Sequence, residues 1–332
     1  MPGDGTVPRP LLRLGRYTVF QDIARGGYAT VHLARVSGSD RIVAVKRLHR
    51  DLLENPDVRA LFVDEARLAA RIRHPNVIQS IEVIESNGET FIVFEFINGV
   101  TLNKLMRLAQ ERRERLPVGL SVRVIIDVLR GLDAAHRAIG EAGEELSLIH
   151  RDVTSENILV GVDGISRLLD FGIARAAGQM HQTTRGQLRG KVRYVSPEQI
   201  HGQPQTQRTD LFIASVVLWE ALTGKRLFSG RSVAEVIVAV TTQQIEPPST
   251  CAPLPPALDD IVLRGLRRPA EERWETAAEM ADALDKTELH AAPERVGSYV
   301  SEVASETLHG HASLIEAIRK VPIDDTPLQG RA

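Results

Sequence analysis

The chain has 332 residues, 43% hydrophobic and 25% charged, with Lys plus Arg at 41 against 43 Asp plus Glu and a formal net charge of −2. That balance gives no electrostatic ground for nucleic acid or an anionic membrane as the main partner, and the single cysteine, Cys251, excludes an intrachain disulfide and argues against a zinc site. The start MPGDGTVPRPLLRLG lacks the apolar core of a signal peptide. The longest apolar run, LFIASVVLW at 211–219, is far short of the roughly 20 residues that a membrane-spanning helix needs. A soluble, cytoplasmic protein is expected.

Residues 1–16 read as an N-terminal extension. From Tyr17 to Glu95 the pattern is mostly strand. YTVFQDIA, ATVHLARV and RIVAVKRL are short β-branched runs separated by the turn clusters RGG and SGSD, and VIQSIEVIE and TFIVFEF flank SNGE. One helix interrupts them: Val58, Leu61, Phe62, Leu68, Ala69 and Ile72 recur at helical spacing and HPN at 74–76 ends it. Beyond a hinge at 96–99 the chain turns helical. Val122, Ile125, Ile126, Leu129 and Leu132 form one stripe, DLFIASVVLWEALTG reads as a buried helix closed by Gly224, and ETAAEMADALDK is amphipathic. A small β-rich lobe followed by a larger helical one, 100–286, is predicted. Residues 287–332 read as a tail, with short helices in SYVSEVASETL and SLIEAIRK and a disordered end.

Several residues carry chemistry that packing alone does not require. Glu65 lies within an apolar helix stripe, which is costly for a carboxylate unless it reaches solvent at the stripe's edge or meets a cation. Lys46, on the same strand face as Ala44, is the natural partner. Gly26-Gly27 allows backbone amides to approach an anion, although a glycine pair between strands is usually only a turn. In HRDVTSEN, followed by LLDFGIA, Asp152, Asn157 and Asp170 supply three oxygen ligands near strand ends. Asn plus Asp suits Mg²⁺, which takes few protein oxygens, and the remaining Asp is free to accept a hydroxyl proton. An Asx-turn, a cap and a turn residue are the separate structural explanations; the order of the three argues against coincidence.

The ordered set IARGGYATV, VAVK, DEA, HRDVTSEN, DFG and SPE resembles the eukaryotic-like serine/threonine protein kinases of bacteria, from Tyr17 to about Lys286. The resemblance implies an α+β, two-lobed kinase fold: a small antiparallel β-sheet N-lobe (17–95) with one key helix, a hinge (96–99) and a mainly α-helical C-lobe. It implies transfer of the γ-phosphoryl group of Mg-ATP to Ser/Thr hydroxyls of protein substrates in bacterial signalling, with autophosphorylation through transient self-association. By the same resemblance Ile23, Ala24, Gly26, Gly27 and Tyr28 would cover the nucleotide, while Val31, Ala44 and Leu159 would sandwich adenine. Phe94 would guard the rear of that pocket, and Glu95 and Ile97 would offer backbone groups to the base. Lys46, set by Glu65, would grip the α/β-phosphates, Asp152 would orient the acceptor hydroxyl, and Asn157 and Asp170 would hold magnesium. His150 would pack beneath Phe171 and Arg151 would meet a phosphate on the activation segment, where Thr183 and Thr184 are the candidate phosphosites. Glu198 would pair with Arg273, and Asp210 would brace the catalytic loop.

The pattern also has departures. Ala24 and Ala29 replace glycines, Ser215 replaces a glycine and Ser196 an alanine. Thr154 stands where most such kinases carry a Lys on the γ-phosphate, a contact worth about 2–4 kcal/mol of transition-state stabilisation. A bacterial branch with a hydroxyl residue there, and a long stretch like IGEAGEELSLIHRDV before the loop, is similar. A working but slower enzyme is therefore expected. The alternative is a weak or inactive pseudokinase serving as a nucleotide-binding scaffold. A small-molecule phosphotransferase is disfavoured by YVSPEQ together with Arg273.

Overall fold

In the strand Ile42–Leu48, Val43 and Val45 are buried while Ala44 and Lys46 remain half-exposed, the alternation of a sheet with one face sealed by core and the other partly open. The computed structural model describes residues 8–27, 29–53, 56–140, 143–146, 148–170 and 192–322. It divides into two compact units: the described parts of Met1–Ala70, Ile78–Asn98 and Ser305–Ala332, and those of Arg71–Val77 and Gly99–Ala304.

The first unit holds β1 (Leu12–Leu14), β2 (Tyr17–Arg25), β3 (Ala29–Val36), β4 (Ile42–Leu48), α1 (Arg50–Leu53), α2 (Pro56–Arg71), β5 (Ser80–Ser86) and β6 (Glu89–Glu95). The strands form an antiparallel sheet in the order β1-β2-β3-β4-β6-β5. Leu14, Tyr17, Val19, Ala34, Val43, Val45, Phe91 and Val93 make the core of its sealed face. Two boundaries differ from the pattern reading. Leu12–Leu14 is a strand paired with β2, inside the stretch read as an extension. β5 begins at Ser80, because the chain turns at His74–Val77, where the Val77 N–H bonds to the His74 carbonyl at 3.1 Å. In α2, Val58, Phe62 and Ala69 are buried, on the stripe that periodicity picks out.

In the second unit β7 (Gly99–Thr101) pairs with β8 (Ile158–Gly161), and β8 with β9 (Ser166–Leu168). A Cβ at Gly99 would run into the Val160 carbonyl, so the close pairing of β7 on β8 requires glycine. The helices are α3 (Leu102–Glu111), α4 (Val118–His136), α5 (Pro197–Ile200), α6 (Gln207–Thr223), α7 (Val233–Thr242), α8 (Pro248–Cys251), α9 (Ala257–Gly265), α10 (Ala277–Asp285) and α11 (Pro293–Val303). α6 is buried on every side from Thr209 to Thr223, which explains an apolar run with no polar face. Thr206 caps its start, and Gly224, at φ 69°, closes it in the left-handed region. Ser215 fits in this helix because its Oγ donates to the Leu211 carbonyl at 2.7 Å and Gly265 of α9 leaves it room.

After Ala304 the chain returns to the first unit as α12 (Ser305–Arg319). Residues 323–332 lie outside the described residues. Among the described residues, no helix is long and apolar enough to cross a membrane.

Candidate active site

Asp210, fully buried in the first turn of α6, organises the HRD segment. Its Oδ2 accepts the His150 N–H at 2.8 Å and its Oδ1 the Arg151 N–H at 2.7 Å, while His136 Nε2 also bonds to Oδ2 at 2.8 Å. Arg151 sits at φ 65°, a left-handed conformation that costs energy for a residue with a Cβ. A carboxylate anchoring two successive amides at that bend holds it in place. His150 is fully buried; its Nδ1 accepts the Asp152 N–H at 3.3 Å, so Nε2 carries the proton and donates to the Leu169 carbonyl at 3.0 Å. The packing expected beneath Phe171 falls outside the described residues. So do Thr183 and Thr184.

Asn157 ends the loop immediately before β8. Its Nδ2 donates to the Asp152 carbonyl and to Asp152 Oδ2, both at 2.9 Å. Both amide hydrogens are thereby spent on Asp152, which leaves Oδ1 as the group's acceptor. The Ile158↔Leu168 register, with the Leu169 N–H on the Asn157 carbonyl at 2.8 Å, sets Asp170 at the same end of the β8–β9 hairpin as Asn157. An amide oxygen and a carboxylate at one hairpin end are hard oxygen donors, and the set fits a magnesium ion that keeps most of its waters. Leu159 is half-buried between the fully buried Ile158 and Val160, so β8 presents one apolar side chain outward.

Thr154 is 6% exposed and engaged through its backbone, its N–H on the Asp152 carbonyl at 2.8 Å and its carbonyl under the Asn157 N–H at 2.9 Å. Ser155 joins a network that the pattern reading missed. Its Oγ lies 3.3 Å from the Tyr194 hydroxyl, which donates to Glu220 Oε2 at 2.7 Å. Arg226 Nη1 bonds both the Tyr194 oxygen and Glu220 Oε2 at 2.8 Å, and the Leu227 N–H reaches Glu220 Oε1 at 3.1 Å. The signal was present in LFIASVVLWEAL: a carboxylate at a fully buried position in an apolar helix demands a partner. Burial and the neighbouring Glu220 charge raise the Tyr194 phenol well above its usual value, so it stays protonated.

Glu198 of SPE meets Arg273 through two bonds of 2.8 Å. The guanidinium also donates to the carbonyls of Arg267, Arg268 and Arg208 and lies 4.8 Å over the Phe212 ring. Burial pushes the Glu198 carboxyl up, but the bonds and charge of Arg273 outweigh it and hold the group below the usual carboxylate range. Ser196 caps the helix that carries Glu198. Among the described residues, Arg151 and Arg193 each keep a buried Nε without a hydrogen-bond partner.

In the first unit, the β3–β4 register Val31↔Lys46 and Leu33↔Ala44 sets Val31, Ala44 and Lys46 on one sheet face, with Ile92 and Phe94 opposite Lys46 and Ala44 on β6. Lys46 Nζ stands 5.5 Å from the ring centroid of Phe62 on α2. Glu65 lies on the same helix; its side chain, and with it the expected ion pair, is outside the described residues, as is Tyr28. Ile23 and Ala24 lie near the end of β2, which Arg25 closes; Gly26 and Gly27 follow, and the Gly26 N–H bonds to the Ala29 carbonyl at 2.9 Å. The Glu95 N–H bonds the Gln79 carbonyl at 3.2 Å and its carboxylate accepts the Gln79 N–H at 3.0 Å; Phe96 and Ile97 follow half-buried.

The model of the protein kinase domain matches residues 17–296. The chain is 38% identical over 281 residues to tyrosine-protein kinase MasK of Myxococcus xanthus, a match covering 83% of this chain and 44% of that protein. It is 33% identical over 282 residues to serine/threonine-protein kinase PknE of Mycobacterium bovis, covering 84% and 48%. Matches thus span less than half the length of these curated relatives. Among solved structures, the PknI kinase domain of Mycobacterium tuberculosis superposes with a TM-score of 0.63 at 22% identity, over 84% of this chain and 98% of that one, and shows the same fold.

Proposed function

The chain belongs to the protein kinase family, and from that premise we propose that residues 17–286 form a catalytic domain transferring the γ-phosphoryl group of ATP to Ser/Thr hydroxyls of protein substrates. The observation that carries the reading is the Asp152–Asn157 pair, held on a loop whose strained residue is anchored by Asp210. Phosphoryl transfer asks little covalent chemistry of a protein and much positioning, so a rigidly held carboxylate is what it needs.

In this reading Asp152 accepts the proton of the acceptor hydroxyl and keeps that hydroxyl oriented. The Asn157 amide holds the Asp152 carboxylate in one orientation, and Asn157 Oδ1 and the Asp170 carboxylate hold magnesium. When bound, Mg²⁺ neutralises the phosphate charge. Lys46, set by Glu65, binds the α- and β-phosphates; Gly26 and Gly27 offer amides to the phosphates. Ile23, Val31, Ala44 and Leu159 contact the base, and the backbone at Glu95 and Ile97 bonds its edge. We place the protein in the cytoplasm, acting on protein rather than nucleic acid and phosphorylating itself through transient self-association.

Purified protein given Mg-ATP should label itself and a generic protein substrate on Ser and Thr, and Asp152→Asn should lose labelling by about 10²-fold or more while still binding ATP. Equal labelling by both proteins defeats the assignment. The name carried by the MasK relative supports a second reading, in which Tyr is the acceptor; phosphoamino-acid analysis decides between them. Nucleotide binding without turnover would instead leave the scaffold reading, which the absent charge at Thr154 motivates.

A further inference from the structure

The last described helix is built into the sheet that the nucleotide residues share. Arg35 on β3, 7% exposed, donates Nη1 to the Ile318 carbonyl at 2.9 Å, Nη1 also to the Arg319 carbonyl, and Nη2 to the Val321 carbonyl at 2.6 Å. These carbonyls close the C-terminal end of α12, where helix carbonyls lack partners within the helix and the helix dipole is negative. A buried guanidinium with three such acceptors is well satisfied there, and losing either side would strand charge or carbonyls in apolar surroundings. Around this latch Ile318 and Val321 form a buried cluster with Phe20 and Leu33, against which Ile23, Ile42, Phe96, Leu314 and Ile315 pack.

Two members of that cluster matter for the nucleotide. Ile23 is the β2 residue assigned above to the base. Phe96 lies between Glu95 and Ile97, whose backbone is assigned to its edge. The β3–β4 register places Arg35 and Ile42 opposite each other, two residues along from Leu33 and Ala44 and on the same face.

We propose that the C-terminal helix is a wall of the base-binding side of the first unit, and that Arg35 is a positioning residue for ATP, acting through α12 on Ile23 and Phe96. The inference rests on the nucleotide assignment made above. Its consequence is a tail that sets ATP affinity and leaves acceptor handling alone.

Arg35→Met keeps the aliphatic stem and removes all three bonds, Arg35→Lys retains the charge, and Leu314→Ala weakens the apolar contact with little risk to folding. Each is made in the full chain, and release of the helix is verified by faster hydrogen exchange at 305–321. The expected result is a dissociation constant for ATP, read with a fluorescent ATP analogue, that rises about fivefold or more in Arg35→Met, less in Leu314→Ala, and is partly restored in Arg35→Lys. Where turnover is present, KM for ATP should rise with it while KM for the acceptor protein and kcat hold. Freed amides in 305–321 with an unchanged ATP dissociation constant overturn the inference, as does an equal rise in both KM values. If the wild type binds ATP but does not turn over, the catalytic assignment fails and this one is still decided by the binding constants; if the wild type binds no ATP, both fall.

Discussion

Arg273 and Glu198 stand 75 residues apart in sequence and meet in a two-pronged ion pair whose every remaining guanidinium hydrogen bond goes to a backbone carbonyl. At 1% and 6% exposure the pair is sealed from water, so it specifies how two segments meet more than it adds net stability.

Arg273→Met should therefore destabilise the protein by about 3–5 kcal/mol, because it takes the cation from a buried carboxylate that keeps only the Thr209 hydroxyl as a side-chain donor, at 2.8 Å, and removes a donor from three backbone carbonyls. Urea denaturation measures this. The Glu198 carboxyl is depressed in the folded state, so its contribution is present above its ordinary value of 4.5 and is lost as pH falls through the folded one. The variant should lose that part of the acid dependence.

Asp127 runs the other way. Burial pushes its carboxyl up to about 6, against the Ser166 N–H bond and the nearby Arg123. Between about pH 4 and 6 the folded chain holds a proton that the unfolded chain has released, so stability should fall as pH rises through that window. Asp127→Asn keeps an acceptor for Ser166 and should flatten the fall, gaining roughly 2 kcal/mol relative to wild type above pH 6. Thermal unfolding at pH 4, 5, 6 and 7 reads the difference.

Asp210→Asn leaves one acceptor oxygen where two loop amides and His136 are now served. Amide exchange at His150 and Arg151 should accelerate, and turnover should drop by about tenfold or more with ATP affinity nearly unchanged. An unaltered exchange rate would show that the loop's left-handed bend holds without the carboxylate.

Tyr194→Phe removes the hydroxyl shared by Ser155, Glu220 and Arg226 but leaves Glu220 its Arg226 and Leu227 partners. A loss of about 1–3 kcal/mol is expected. A double-mutant cycle with Glu220→Gln should be clearly non-additive, since both act in one network.

Much of the candidate site was legible before any coordinates. HRDVTSEN and the DFG triplet gave Asp152, Asn157 and Asp170, and YVSPEQ gave Glu198, because each lies within a short ordered run whose residue types chemistry restricts. Strand alternation gave the face shared by Ala44 and Lys46. The Ser155–Tyr194–Glu220–Arg226 network was not legible, since its members are scattered over 72 residues and the one local hint, a carboxylate at Glu220 in an apolar helix, names no partner.

The amino-acid order alone pointed to most strands of the first unit, to the long buried helices and, through the resemblance of its motifs, to the family, because periods of 2 and 3.6 and short motifs are local properties of a chain. Only the folded structure decided where the carbonyls ending at Val321 go and that Arg35 is buried against them. An arginine in a strand reads as a surface charge until a helix some 280 residues later ends against it, since burial and hydrogen-bond closure depend on contacts no local pattern encodes.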